Sequence, residues 1–194
     1  MKDKKLLSDI KEYLKCYENQ VLEDWYELIR HISVSETGEG IETCCDWIQK
    51  KMEEIGIQVT KYSVKPAPVL VGRFGNDPEK KTVLIYAHYD VKPAGERKLW
   101  HSDPFVPTVR DGKVYARGSA DNKSPLMAHL KALEYFIRRK MEVPVNVIFV
   151  FEGDEECGSR GLEEFLAEHR TELAADLVFF SDGPKDPSGL PIIA

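Results

Sequence analysis

The sequence predicts an α/β domain, a layered sheet with helices on both faces. Segments whose apolar residues recur at helical spacing alternate with short runs rich in Val, Ile, Leu and Phe. One of those runs, residues 82–88, is apolar on both faces, as expected of a central strand covered by helices. Several of the runs stop at a His, Asp or Glu in a polar turn, the arrangement of a sheet that offers its carboxyl ends to a ligand. The 194 residues suffice for one sizeable domain.

Residues 3–32 read as helix, in one piece or two, because Leu6, Ile10, Tyr13, Leu14 and Tyr17 form one apolar stripe and Val21, Leu22, Trp25, Leu28, Ile29 and Ile32 a second. Residues 33–40 are a polar break containing glycine. A second helix is predicted over residues 40–55, with Ile41, Cys44, Cys45, Ile48, Met52 and Ile55 inward and Gly56 as its stop. The period then changes to two at Ile57 and Val59. Tyr62 and Val64 continue it one residue out of phase, which places a bulge near Lys61. Residues 69–74 are the neighbouring strand, and residues 75–78 a turn. Residues 91–112 are a long connection rich in Pro and Gly, and such loops are usually functional. A strand over residues 114–118 precedes Asp121. Helix 124–140, strand 145–151, a helix near 159–170 and strand 176–181 complete the alternation, and residues 189–194 read as the start of a further strand.

Composition excludes several classes. There are 27 basic and 33 acidic residues, a formal net charge of −6, with no Lys/Arg cluster, so a nucleic-acid partner is not expected. No apolar run approaches a membrane span. The N-terminus is charged and amphipathic without an apolar core segment, so no secretory signal is expected and a cytoplasmic location is. Cys16, Cys44, Cys45 and Cys157 show no CxxC pair, which fits reduced thiols; Cys44 and Cys45 read as core, and Cys157 as buried rather than metal-bound. A Gly-rich phosphate loop, a GxSxG elbow and HExxH are all lacking. His31, His101, His129 and His169 stand singly and read as structural or exposed.

The acids and one histidine at the strand ends carry the chemistry. In an extended segment residues i and i+2 share a side, so Asp90 can steer the His88 ring; the bland alternative is a strand-end histidine with a polar neighbour. Asp121 lies in a polar turn before a helix, as an N-cap or as a carboxylate able to bridge two ions. Asp154, Glu155 and Glu156 precede a helix, where acids favour the dipole. The sharper reading lets one glutamate ligate metal while its neighbour takes a proton from water. Asp182 precedes Gly183 and Pro184, as a turn residue or a ligand. Four such ends on one rim would suit a divalent ion such as zinc or manganese.

Residues 87–91 (AHYDV), 100–105, 111–115, 117–123 (RGSADNK) and 152–159 (EGDEECGS) together resemble the co-catalytic zinc metallopeptidases, the family of aminoacylases, glutamate carboxypeptidases and carnosine-type dipeptidases. AHYDV, Asp121-Asn122-Lys123 and the run from Gly158 to Glu164 are most similar to the dipeptidase branch. The resemblance covers about residues 20–185. Ser124 departs from it where glycine is usual, and residues 29–35 lack the usual proline. It implies that His88 and Asp182 bind one metal, Glu156 the other, and that Asp121 bridges them through a cis Asp121–Asn122 peptide. It implies Asp90 as the group orienting His88 and Glu155 as general base. The implied cofactors are two divalent ions, zinc first, with manganese and cobalt as alternatives.

Members of that family have an inserted lid domain and a late histidine ligand. Residues 1–194 are therefore expected to be the N-terminal portion of a catalytic domain, a truncated zinc-peptidase domain lacking the lid domain and the C-terminal catalytic portion, and inactive by themselves. The expected function of the parent is hydrolysis of a peptide or amide bond in a small substrate, a dipeptide first. The alternatives are an N-acyl amino acid deacylase, of acyl-ornithine or acyl-diaminopimelate type, and a non-catalytic truncated module. The expected partners are a small peptide or acyl-amino-acid substrate, no nucleic acid, no membrane, and a second copy of the parent joined through the lid.

Overall fold

The computed structural model describes residues 2–183 and Ser188. The strand expected at residues 189–194 lies outside them. Helix α1 (Lys2–Arg30) is one unbroken rod, because no Gly or Pro separates its two apolar stripes. Its first half is largely exposed, with Leu7 at 56% and Leu14 at 45%, whereas Leu28 and Ile29 are fully buried. Helix α2 (Ile41–Glu54) buries Ile41, Cys44, Cys45, Ile48 and Met52, the face that the spacing predicts.

Strands β1 (Gln58–Tyr62), β2 (Val69–Phe74) and β3 (Thr82–His88) follow, then a hairpin of β4 (Thr108–Arg110) and β5 (Lys113–Tyr115). Helix α3 (Lys123–Arg138), strand β6 (Asn146–Glu152), helix α4 (Leu162–Glu168) and strand β7 (Leu177–Phe180) complete the order. The main sheet runs β1-β2-β6-β3-β7. β1, β2 and β6 pair antiparallel, while β3 lies parallel to β6 and to β7. Helices α1, α2 and α3 cover one face, where Leu28, Ile48, Met52, Leu126 and Leu130 share a core with Phe149 of β6. Helix α4 covers the other, where Phe165 and Leu173 meet Val71, Leu84, Tyr86 and Val150. The predicted layering is therefore present. At Gly72 a Cβ would lie 2.2 Å from Met52 Cε, so glycine lets α2 sit close on β2.

Three expectations need correction. No bulge occurs at Lys61, since β1 runs against β2 in unbroken register from Gln58↔Arg73 to Tyr62↔Val69. The phase change has another cause: the end of β1 is covered on both faces. Lys61 reaches Glu42 and Asp46 of α2 at 2.7 and 2.6 Å, and Tyr62 packs on Phe165 of α4 with ring centroids 5.0 Å apart. The strand expected at residues 114–118 is only β5, which pairs with β4 outside the main sheet, so Asp121 does not end a sheet strand. The helix near residues 159–170 shrinks to α4, because residues 155–161 form a 3-10 turn, Glu155–Cys157, and a loop with positive φ at Gly158 and Ser159.

Lys123 fastens α1 to α3. It is fully buried, and its ammonium donates to the carbonyl oxygens of Leu28 at 3.1 Å and His31 at 2.6 Å, closing the end of α1. Lys123→Met is expected to strand both acceptors and to destabilise the fold by about 1–3 kcal/mol in urea denaturation. An unchanged midpoint and slope would show that α1 is held by apolar packing alone.

Candidate metal centre

β3, β6 and β7 are parallel, so their carboxyl ends open on one rim. β3 ends in His88, with Asp90 two residues on; both are fully buried. β6 leads through Asp154 into the turn Glu155–Cys157, and β7 leads into Asp182. Asp121 reaches the rim from the turn before α3, across a cis Asp121–Asn122 peptide. Asn122 Nδ2 donates to Ser181 O at 2.9 Å and ties that turn to the end of β7. Gly118, at φ +80°, allows the turn to close: a Cβ there would stand 2.7 Å from Val91 Cγ1.

His88 is the meeting point. Its Nε2 lies 3.0 Å from Asp121 Oδ1, 3.3 Å from Asp182 Oδ2 and 3.6 Å from Glu155 Oε2. Its Nδ1 faces the Asp90 carbonyl oxygen at 3.1 Å and Asp90 Oδ1 at 3.3 Å, and both only accept, so Nδ1 carries a proton. Burial opposes charge on the ring, but the Asp90 hydrogen bond and the charges of Asp90, Glu155 and Asp121 outweigh it, and the imidazolium is held up at about 9. The pocket thus favours positive charge at this point.

Ligand atoms of His88, Asp121 and Asp182 all lie within 4.8 Å of one another. One imidazole and two carboxylates, with no Lys or Arg paired to either carboxylate among the described residues, form a donor set that fits a divalent cation. Glu155 stands beside the group with its side chain 37% exposed. Burial pushes its carboxyl up, and the charges of Asp182, Glu156 and Asp90 add to this against His88. An upward shift suits a group that must take a proton near neutrality.

Asp90 does more than face the histidine. Its Oδ1 accepts the Glu155 N–H at 3.2 Å and its Oδ2 the Glu156 N–H at 3.0 Å. One buried carboxylate therefore joins the end of β3 to the turn bearing both glutamates.

Glu156 is not drawn into the group around His88. Its carboxylate lies 3.4 Å from Lys92 Nζ. Asp154 serves the turn itself: its oxygens take Arg160 Nε at 2.9 Å and Nη2 at 2.6 Å, and, against burial, Arg160 holds the carboxyl below its ordinary range. The far end of the loop is closed by Glu152, whose Oε1 accepts from Tyr86 Oη at 2.5 Å and Ser159 Oγ at 2.8 Å. Cys157 points to Ser35 Oγ at 3.5 Å.

Sequence reasoning passes over Lys92, Glu152, Tyr86 and Arg160. The period-two row His88, Asp90, Lys92 is a usable signal for Lys92. Nothing comparable marks Arg160 as the partner of Asp154.

The sequence profile of Peptidase family M20/M25/M40 matches residues 84–192, and the chain belongs to that family. It is 43% identical over 147 residues to the Cys-Gly metallodipeptidase dug1 of Schizosaccharomyces pombe, covering 71% of this chain and 31% of that protein. The fold superposes on human carnosine dipeptidase 1 with a TM-score of 0.87 at 29% identity, over 91% of this chain and 41% of that one. An M20 family metallo-carboxypeptidase from Sulfolobus solfataricus gives a TM-score of 0.82 at 36% identity, over 87% of this chain and 38% of its own. The chain thus spans about a third of the length of the curated relative and two-fifths of the solved structures. Among the described residues no helix is long and apolar enough to cross a membrane.

Proposed function

We propose that this chain carries the metal-binding and base-bearing part of a peptidase that hydrolyses the amide bond of a small peptide, a dipeptide first. The observation that carries the reading is the convergence of Asp121, Asp182 and Glu155 on His88 Nε2 at the carboxyl ends of three parallel strands. In this reading His88 and Asp182 hold one divalent ion, Glu156 holds a second, and Asp121 bridges them. Zinc is the assigned metal, with manganese and cobalt as alternatives. Bound there, such ions polarise the substrate carbonyl and acidify a water. Asp90 keeps the His88 proton on Nδ1, so Nε2 faces the ion. Glu155 takes the proton of the attacking water and delivers it to the leaving nitrogen.

Residues 1–194 are, in this reading, the N-terminal portion of the catalytic domain. The lid, the late histidine of the second metal position and the dimer contact lie in further sequence, and the protein works in the cytoplasm. The relatives' names suggest the test panel: Cys-Gly and β-Ala-His beside N-acyl amino acids. The full-length protein with zinc is expected to cleave a dipeptide and to lose this to a chelator. Faster release of an acyl group than of an amino acid would move the assignment to a deacylase.

Residues 1–194 alone are expected to hold at most one tight zinc and to hydrolyse no dipeptide measurably. Closed zinc sites usually need three or four protein ligands, and Asp121 with Glu156 supplies only two. Chelator-sensitive turnover by this chain, abolished by Glu155→Gln, would show that the site is complete within it.

A further inference from the structure

The chain leaves β3 extended, so His88, Asp90 and Lys92 alternate to one side. Each takes a different part of the rim. His88 meets Asp121 and Asp182. Asp90 holds the amides of Glu155 and Glu156. Lys92 holds the end of the same turn: its ammonium donates to the Glu156 carbonyl oxygen and stands 3.4 Å from Glu156 Oε2.

The backbone on either side of Lys92 is fastened. Val91 donates to Ser33 O at 2.8 Å and bridges Val34, and Pro93 O accepts from Arg117 Nη2 at 3.1 Å. The Glu156 side chain is only 14% exposed, so water screens its charge incompletely. Among the described residues Lys92 is the cation paired with it. Asp121 and Asp182, by contrast, pair only with the His88 imidazole among the described residues.

We infer that Lys92 is the resident counter-charge of Glu156 and makes the two metal positions unequal. A divalent ion that takes the Glu156 carboxylate must displace the ammonium, and it then sits beside a like charge. The carboxylates of Asp121 and Asp182 have no Lys or Arg paired with them among the described residues, and their position with His88 fills first. Lys92 is thus a positioning residue that tunes occupancy of the second ion. The inference rests on the reading of Glu156 as a ligand.

Calorimetric zinc titration of the metal-free, full-length protein tests it. The parent is expected to bind in two steps. Lys92→Gln is expected to strengthen the weaker step roughly tenfold or more and to leave the tighter one unchanged. Lys92→Arg, which keeps the charge, is expected to titrate like the parent, and Glu156→Gln to lose the weaker step. Lys92 is half exposed, with its side chain 53% accessible, so neither substitution threatens the fold. If Lys92→Gln leaves the weaker step unchanged while Glu156→Gln abolishes it, Lys92 is not the competitor, and Glu156 stands as a ligand. Counter-charge is equally overturned as the cause if Lys92→Arg strengthens the weaker step as much as Lys92→Gln does. If Glu156→Gln alters neither step, the ligand assignment fails and this inference fails with it.

Discussion

Glu155→Gln is expected to lower turnover by the full-length protein roughly 10²–10⁴-fold, the usual cost of losing a positioned base, while metal content stays near that of the parent. The amide keeps the shape of the carboxylate but cannot take a proton. The turn itself should survive, because Asp90 grips the Glu155 backbone N–H and not its side chain. The neighbouring Glu156→Gln should behave differently, losing metal as well as activity. Metal analysis of the two purified variants beside their rates separates base from ligand. Equal metal loss in both would sink the division of labour.

Asp90→Asn should weaken metal binding or activity by roughly 10–100-fold, the range found for groups that orient a ligand. The structure explains why so conservative a change should be felt. Three donors point at Asp90: the His88 Nδ1–H, the Glu155 N–H and the Glu156 N–H. Asparagine replaces one accepting oxygen with an NH₂, so at least one donor must face another donor in a buried place. With the NH₂ in place of Oδ1 the Glu155 N–H loses its acceptor and His88 Nδ1 keeps only the Asp90 carbonyl oxygen; with it in place of Oδ2 the Glu156 N–H loses its acceptor. Amide hydrogen exchange would tell which, since it speeds at Glu155 in the first case and at Glu156 in the second. A variant equal to the parent in metal affinity and rate would make Asp90 a mere neighbour.

The elements legible in the sequence are those whose burial follows one simple period. Helix α2 shows its five buried residues at helical spacing, and β6 is apolar from Val147 to Phe151 because both its faces are covered. His88, Asp90, Glu155, Glu156 and Asp182 stand out because apolar runs end beside them. What is not legible has a physical cause each time. Lys61 and Tyr62 break the alternation because α2 and α4 cover opposite faces of the same strand end. Pattern alone puts Asp121 at a strand end, although its position depends on Asn122 bonding Ser181, far away in the chain. The partner of Asp154 is an arginine, a long side chain whose reach depends on the fold and leaves no spacing to read, whereas Lys92, the partner of Glu156, shows only as the next step of the row His88, Asp90, Lys92. The family resemblance, carried by motifs from residue 87 to 159, marks the rim more completely than periodicity does.

The buried Lys123 gives the N-terminal helix a remote hold on the rim. Its neighbours in sequence are Asn122 and then Asp121, while its ammonium is fixed to the last carbonyls of α1. Rigidity at Asp121 is therefore borrowed from a helix that, among the described residues, makes no hydrogen bond or ion pair to His88 or either glutamate. The borrowed part is short. Leu7 and Leu14, in the outer turns, are half exposed, whereas Leu28 and Ile29 are fully enclosed. Tags or trimming over the first two turns should be silent at the metal centre. A cut that frees the segment around Leu28 should loosen Asp121 from some distance, so an affinity for metal could be lost through a change that alters no ligand.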